Sequence, residues 1–354
     1  MIGAPLVSVI VPLYNKASTV ARALTSIQNQ SFGDYETIVV DDGSTDGSGG
    51  IAAQFTNGRF HVIRQTNAGP GAARNRGIAM ARGTLLAFLD ADDEWLPRFL
   101  EKSVAALERY GSKIASITSG YIAGPNARST EQFWNNQGLR TGPFRASSAM
   151  SPVRLAALLR YMNSWSTVIR RATVERYGGF YERRCTYGED SFLFLKVLLN
   201  ETIAVELQPL VHWHDEASSL SRNVAGARPI EPMLSDPEPL YAACPSRLRG
   251  LLDDVLSIRA AKTACMLGFW GDWQEARALL RRFSRLRDVR HHQVRLGYLC
   301  ATPLAAVAGR ALRNLPAFVP APARIGSARW RVSAQNLDET FAPIVKNGDH
   351  TDRG

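Results

Sequence analysis

The first hundred residues alternate between two hydrophobic periods. A strand-like run, Val7-Ser8-Val9-Ile10-Val11, is followed by Thr19 to Gln30, where Val20, Ala23, Leu24 and Ile27 recur on one helical face. The step then repeats. Thr37 to Val40 reads as a strand, Asp46 to Phe55 as a helix, Phe60 to Ile63 as a strand, Gly71 to Arg82 as a helix stopped by Gly83, and Leu85 to Leu89 as a strand. Strands alternating with helices predict an α/β fold: a mostly parallel, doubly wound sheet with helices on both faces. Beyond residue 110 the pattern is looser. It predicts a strand at Ile114 to Tyr121, a polar loop from Gly124 to Ser148, a helix from Pro152 to Met162, a strand from Trp165 to Arg170, an apolar helix from Phe192 to Leu199, and short strands around Ile203 to Leu210.

Five prolines between Asn223 and Pro245 read as a linker, which divides the chain into residues 1–225, a linker at 226–245, and a mainly helical region with an irregular tail at 246–354. The charge divides at the same place. The whole chain carries 42 Lys and Arg against 32 Asp and Glu, a net +10, but 18 of the basic and 9 of the acidic groups lie in residues 241–354. Any membrane reading of the excess therefore concerns that part, and none of it points to nucleic acid. Four scattered cysteines suit neither a zinc ribbon nor a disulfide scaffold, so a reducing cytoplasm is expected. The uncharged stretch Met1 to Asn15 lacks the basic start of a signal peptide and reads as the first strand. Leu296 to Gly309, uncharged but only 14 residues long, is too short to span a bilayer.

In an open α/β sheet, ligands bind beyond the carboxyl ends of the strands. Here those positions are polar: Pro12-Leu13-Tyr14-Asn15, then Asp41-Asp42-Gly43-Ser44-Thr45-Asp46, then Asn67-Ala68-Gly69-Pro70-Gly71, then Asp90-Ala91-Asp92-Asp93. Three carboxylates in four residues repel one another unless a cation sits among them, and an oxygen-only set favours Mg²⁺ or Mn²⁺. The plainer account is a solvated turn that caps the next helix. Asp41 and Asp42 can reach a ribose or a base edge, or merely build a turn. The loop after the first strand has no Gly-x-Gly-x-x-Gly, and no P-loop occurs, so phosphates would be held by metal and by side chains such as Arg74. Glu189 and Asp190 precede an apolar helix, and adjacent side chains diverge, so one of them can face the site as a general base while the other caps the helix. His212 and His214 share one strand face and can add a metal ligand.

Together, Val9 to Asn15, Val39 to Asp46, Asn67 to Gly77, Phe88 to Asp93 and Gly188-Glu189-Asp190 resemble the family 2 glycosyltransferases of GT-A fold, over about residues 5 to 222. The resemblance implies an inverting transferase that moves a sugar from a nucleotide diphosphate sugar, commonly a UDP-sugar, to an acceptor hydroxyl with the help of Mn²⁺ or Mg²⁺. It assigns Pro12, Tyr14, Asn15, Asp41, Asp42, Arg74, Asn75 and Asp90 to the donor. Asp92 and His214 are assigned to the metal and Asp190 to catalysis as base. Glu189, Trp165 and Asp93 become candidates for acceptor contact or support. The family-level acceptor is a bacterial surface polysaccharide or glycolipid. The competing classes are a sugar-phosphate nucleotidyltransferase, which normally carries a glycine- and basic-rich loop after its first strand, and an inactive binding module. The arginines from Arg277 to Arg295, interspersed with Leu279, Leu280, Phe283 and Leu286, suit either a helix lying on an anionic membrane or the solvated face of a helical subdomain. The first would place the enzyme peripherally on the inner face of the plasma membrane, beside a lipid-linked acceptor.

Overall fold

A computed structural model describes residues 3–55, 58–183, 185, 187–214, 229–285 and 292–313. Its centre is a ten-stranded mixed sheet in the order β3-β2-β1-β4-β9-β6-β10-β5, with β7 paired to β6 and β8 to β10. The strands are β1 (Val7–Leu13), β2 (Tyr35–Asp41), β3 (Phe60–Arg64), β4 (Leu85–Phe88), β5 (Glu94–Trp95), β6 (Ser116–Ala123), β7 (Arg128–Ser129), β8 (Gly142–Arg145), β9 (Thr167–Arg170) and β10 (Thr202–Trp213). β3, β2, β1 and β4 are mutually parallel, β9 runs against both β4 and β6, and β10 is parallel to β6. The chain works outward from β1 to β3 and then returns to β4 on the other side of β1. That reversal opens a crevice between the ends of β1 and β4.

β1 and β2 are buried on both faces, Pro12 excepted, which is why they read as continuous apolar runs. Helix α1 (Val20–Gln28) buries Val20, Ala23, Leu24 and Ile27, the stripe visible in the sequence. Helix α2 shrinks to Ser48–Ala52, shorter than its predicted span. Gly47 takes a left-handed φ of 88° at its start, and two further glycines follow, each a poor helix former. Helix α3 (Pro70–Met80) opens on Gly69-Pro70-Gly71, with proline in its first turn. A Cβ on Gly71 would stand 2.1 Å from the Tyr181 carbonyl oxygen, so this residue lets the helix start press against the chain leading to residue 189.

Beyond α4 (Phe99–Tyr110), the stretch expected as a polar loop holds β7, α5 (Glu131–Asn136) and β8. After α6 (Pro152–Tyr161), a 3-10 turn at Ser164–Ser166 precedes β9, so Trp165 sits in a turn rather than in the predicted strand. Helix α7 (Arg171–Arg176) leads to α8 (Glu189–Asn200), which starts earlier than its apolar residues suggest and takes Glu189 and Asp190 into its first turn. In place of short strands, β10 is a single twelve-residue strand, irregular around Pro209, where its register against β6 shifts.

The proline-rich stretch expected as a linker is packed where it is described. It forms α9 (Pro232–Ser235) and α10 (Glu238–Ala243), with Met233, Leu234 and Leu240 fully buried. Buried Glu231 pairs with Arg259 of α11 (Arg249–Trp270), and Tyr181 and Arg183 both reach Asp236. Prolines act here as helix starts rather than as spacers. α11 buries residues all round, from Leu251 to Gly268, as the central helix of a bundle with α12 (Trp273–Arg282), α13 (His292–Cys300) and α14 (Pro303–Arg313). The predicted irregular tail, and Leu286, Arg287 and Arg290, lie outside the described residues.

Candidate active site

Lys16 follows β1 and Asp92 follows β4, and their side chains meet across the crevice at 2.5 Å. The loop that carries Asp92 is held from behind. Thr19 donates to the Ala91 carbonyl at 2.8 Å, Arg22 to the Asp92 carbonyl at 2.6 Å, and the Asp93 N–H to the Asp90 carbonyl at 3.0 Å. These bonds gather Asp90, Asp92 and Asp93 so that one carboxylate oxygen from each lies within 4.8 Å of the others. Burial and then the charge of Asp90 raise the pKa of Asp92 against the pull of Lys16. Burial followed by Asp92 and Asp90 raises that of Asp93 well above the carboxylate range. Oxygen donors confined at this distance, and strained by mutual repulsion, fit a hard divalent cation, and the ammonium of Lys16 already supplies one positive charge there.

Arg74 is the second organising charge. Buried to 3% exposure, it forks between Asp90 and Glu189, at 2.6 Å to each, and its guanidinium lies 5.3 Å from the centre of the Phe180 ring. Burial opposes its charge, but Asp90, Glu189 and Asp190 outweigh that and lift its pKa above the ordinary arginine value. Next to it, Asn75 donates to the Phe180 carbonyl and to Glu182 and accepts the Phe180 N–H, which ties α3 to the segment that enters α8.

Glu189 and Asp190 have different surroundings. Glu189 is buried and consumed by Arg74. Asp190 is half-buried and accepts from the Ser191 N–H at 2.6 Å. Burial, then the neighbouring Glu189, pushes its pKa up to about 6 against the pull of Arg74. Gly188, at φ 82°, allows the tight entry that turns both carboxylates into the first helical turn. A carboxylate ionising near neutrality suits proton abstraction.

The remaining predicted residues divide between crevice and scaffold. Tyr14 is 48% exposed and Asn15 sits at φ 51°. Asn15 accepts the Thr45 N–H while its own N–H donates to Ser44, so the loops after β1 and β2 are laced together. Pro12 lies in register with Val40. Asp42 accepts from Gln65 and from the N–H groups of Ala68 and Gly69, and Asp41 accepts from the Ser44 N–H. Both are 3% exposed and brace these loops. Trp165 is buried at 7% exposure, edge-on to Tyr121 and stacked with Trp213, so its ring belongs to the aromatic core and offers no open face to an acceptor. Asp93 accepts the His214 N–H at 3.0 Å, pinning the end of β10 to the aspartate loop. The His214 ring lies against His212, and its Nε2 is 3.4 Å from Glu94. Lys16, Arg22 and Glu94 were not singled out from the sequence. A lysine just after the first strand, in a chain with three clustered aspartates, was the available signal.

These features define a class: a Rossmann-like α/β fold whose crevice is lined by carboxylates and one buried arginine instead of a glycine cradle. The family model for Glycosyl transferase family 2 matches residues 8–160. The chain is 27% identical over 314 residues to the putative glycosyltransferase EpsH of Bacillus subtilis, covering 85% of this chain and 84% of that one. S. aureus TarS 1-349 superposes with a TM-score of 0.57 at 20% identity, over 87% of this chain and 91% of that one, and it has also been solved in complex with UDP-GlcNAc. The mannosyltransferase PcManGT from Pyrobaculum calidifontis, in complex with GDP-Man and Mn²⁺, superposes with a TM-score of 0.51 at 19% identity, over 89% and 88% of the two chains. Residues 8–160 thus match glycosyl transferase family 2, and the chain has the GT-A fold. It is a glycosyltransferase.

Proposed function

We propose that the protein transfers a sugar from a nucleotide diphosphate sugar, a UDP-sugar by preference, to an acceptor hydroxyl with inversion at the anomeric carbon. The observation that carries this reading is the Arg74 fork. It holds Glu189 on one side and Asp90 of the aspartate loop on the other, and so brings the start of α8, with Asp190, to the donor crevice. In the reaction, the acceptor oxygen bonds to the anomeric carbon as the bond from that carbon to the diphosphate breaks. The nucleoside diphosphate leaves with the electron pair, and the acceptor proton passes to Asp190. Single displacement needs one base, in contrast to the two carboxylates of a retaining hydrolase. Asp190, ionising near 6, is charged and ready at neutral pH.

Asp92, with Asp90 beside it and His214 at the end of β10, is the group that would hold Mn²⁺ or Mg²⁺. The bound cation would neutralise charge developing on the leaving diphosphate. Lys16 and Arg74 supply fixed positive charge to the same region. Exposed Tyr14 is free to stack on the base, with Asn15 at the crevice edge beside it. Asp41, Asp42 and Asn75 shape the donor loops through their backbone bonds. The complexes of TarS with UDP-GlcNAc and of PcManGT with GDP-Man and Mn²⁺ support a nucleotide sugar as donor and a divalent ion as cofactor.

Incubation with a panel of UDP- and GDP-sugars and simple acceptors, with and without Mn²⁺, tests the reading. Release of the nucleoside diphosphate and a product of inverted anomeric configuration by NMR is the expected result. Release of pyrophosphate would instead mark a nucleotidyltransferase, and a retained configuration would remove the single-base mechanism.

A carbohydrate or lipid-linked acceptor suits a peripheral position at the membrane. No helix among the described residues is long and apolar enough to cross one. The helix expected to lie on lipid, α12, buries Ala276, Leu279 and Leu280 in the protein, as does Phe283 just after it. Among the described residues of the basic C-terminal part, the large apolar side chains left exposed are Leu299, Leu304 and Val307 on α13 and α14. Flotation of the full chain with anionic but not neutral vesicles, weakened in Leu304→Asp and Val307→Asp, is the expected outcome. Equal flotation by both variants would dismiss this face.

A further inference from the structure

Glu94 and His212 face each other across the antiparallel pair β5 and β10, in register. His214, two residues on from His212 and just past the end of β10, brings its ring against that of His212. One ligand atom from each of the three lies within 4.8 Å of the others, in a group separate from that of Asp90, Asp92 and Asp93. The two imidazole centres are 3.8 Å apart, and His214 Nε2 is 3.4 Å from Glu94.

His212 is oriented in a particular way. Its Nε2 lies 2.9 Å from the Gly124 carbonyl oxygen. A carbonyl only accepts, so Nε2 carries the hydrogen and Nδ1 is left with the lone pair. A backbone carbonyl fixing one ring nitrogen in this way is the arrangement that orients metal-ligating histidines. Two imidazoles and one carboxylate prefer borderline ions such as Zn²⁺ or Co²⁺, whereas the oxygen-only aspartate group prefers Mg²⁺ or Mn²⁺.

From this geometry we infer a second metal site, formed by Glu94, His212 and His214, that takes a transition ion of the Zn²⁺ class. Its occupation binds His214 to β5 and withdraws that ring from the donor cation. Zn²⁺ thereby antagonises Mn²⁺-supported nucleotide binding. The antagonism rests on the function proposed above. The site itself does not.

Titration of the full chain with Co²⁺, followed by visible absorption, tests both parts. A cobalt ion bound by two imidazoles in a four-coordinate site gives an intense band, and an oxygen-only octahedral site gives a faint one. The intense band is expected in the native chain and in Asp92→Asn, bleached by Zn²⁺. His212→Ala and Glu94→Gln are each expected to weaken Co²⁺ binding about tenfold or more. Glu94 has a side chain 37% exposed, so its variant keeps the test open if His212→Ala fails to fold. In His212→Ala, Mn²⁺-supported UDP binding by calorimetry is expected to persist and to lose its sensitivity to Zn²⁺. Absence of the intense band in the native chain, an unchanged band in both variants, or its loss in Asp92→Asn would overturn the site. Failure of the native chain to bind UDP with Mn²⁺ would strike the proposed function and leave the cobalt result standing.

Discussion

Replacing Asp190 by Asn should stabilise the protein while disabling it. The ordinary carboxyl pKa of 3.8 is raised to about 6 in the fold. The folded state thus holds this proton more tightly than the unfolded chain does, and stability falls as pH rises between those two values. A shift of about 2 units corresponds to about 3 kcal/mol. Asparagine carries no charge but keeps an oxygen to accept the Ser191 N–H, so Asp190→Asn should recover the cost without losing the bond. Linkage puts the gain at about 1.6 kcal/mol at pH 5 and about 3 kcal/mol at pH 7, since most of the group ionises between them. Urea unfolding of both proteins at pH 5, 6, 7 and 8 measures the difference directly. A gap that does not widen with pH, or a variant less stable than the native chain at pH 7, would refute the electrostatic account. For the reaction the sign reverses. The base must be ionised, so kcat/KM should fall as pH drops through about 6, and the variant should lose about 10²- to 10⁴-fold in kcat. Donor affinity should be nearly unchanged, and a matching loss of donor binding would move Asp190 into the donor site.

Three further changes probe the other charges. Asp92→Ala should abolish the part of nucleotide affinity that depends on Mn²⁺, read by calorimetry with and without the ion; equal affinities in the native chain and the variant would remove Asp92 as a ligand. Arg74→Lys replaces a two-armed guanidinium with a point charge that cannot reach Asp90 and Glu189 together, and should cost about 3 kcal/mol in urea unfolding; a loss under about 0.5 kcal/mol would deny the fork its structural part. Glu231→Gln removes the charge facing Arg259 at the junction of α9 and α11, and should destabilise by a similar amount of about 3 kcal/mol. Unchanged protection of the Arg249–Trp270 helix in hydrogen exchange would show that the junction does not depend on this pair.

What could be read in advance follows from how local each signal is. β1, α1 and α3 are written in periodicity and in turn residues that act within a few positions, and they formed close to where they were expected. The four polar strand ends were legible for the same reason, because the doubly wound topology sends every such end to one crevice. The Arg74 fork joins residues 115 apart in the chain, and nothing in either local pattern names the partner. Lys16 is no more legible locally, because the carboxylate it pairs with, Asp92, lies 76 residues away.

The same distinction bears on the linker expected at 226–245, whose described part begins at residue 229. Prolines punctuate a chain whether they start helices or separate domains, and only burial tells the two apart. Met233, Leu234 and Leu240, spaced among those prolines, were the counter-signal, for a solvated spacer has no use for three large apolar side chains. With them buried and Glu231 paired to Arg259, the helical region is docked on the α3 and α8 side of the catalytic sheet through Tyr181, Arg183 and Asp236. Tyr181 is also the residue whose carbonyl meets Gly71 at the start of α3. The segment from 180 to 190 is therefore clasped between the donor helix and the C-terminal region. A change that loosens α9 should act on Asp190 before it acts on the aspartate loop, which has further supports of its own from Thr19 and Arg22.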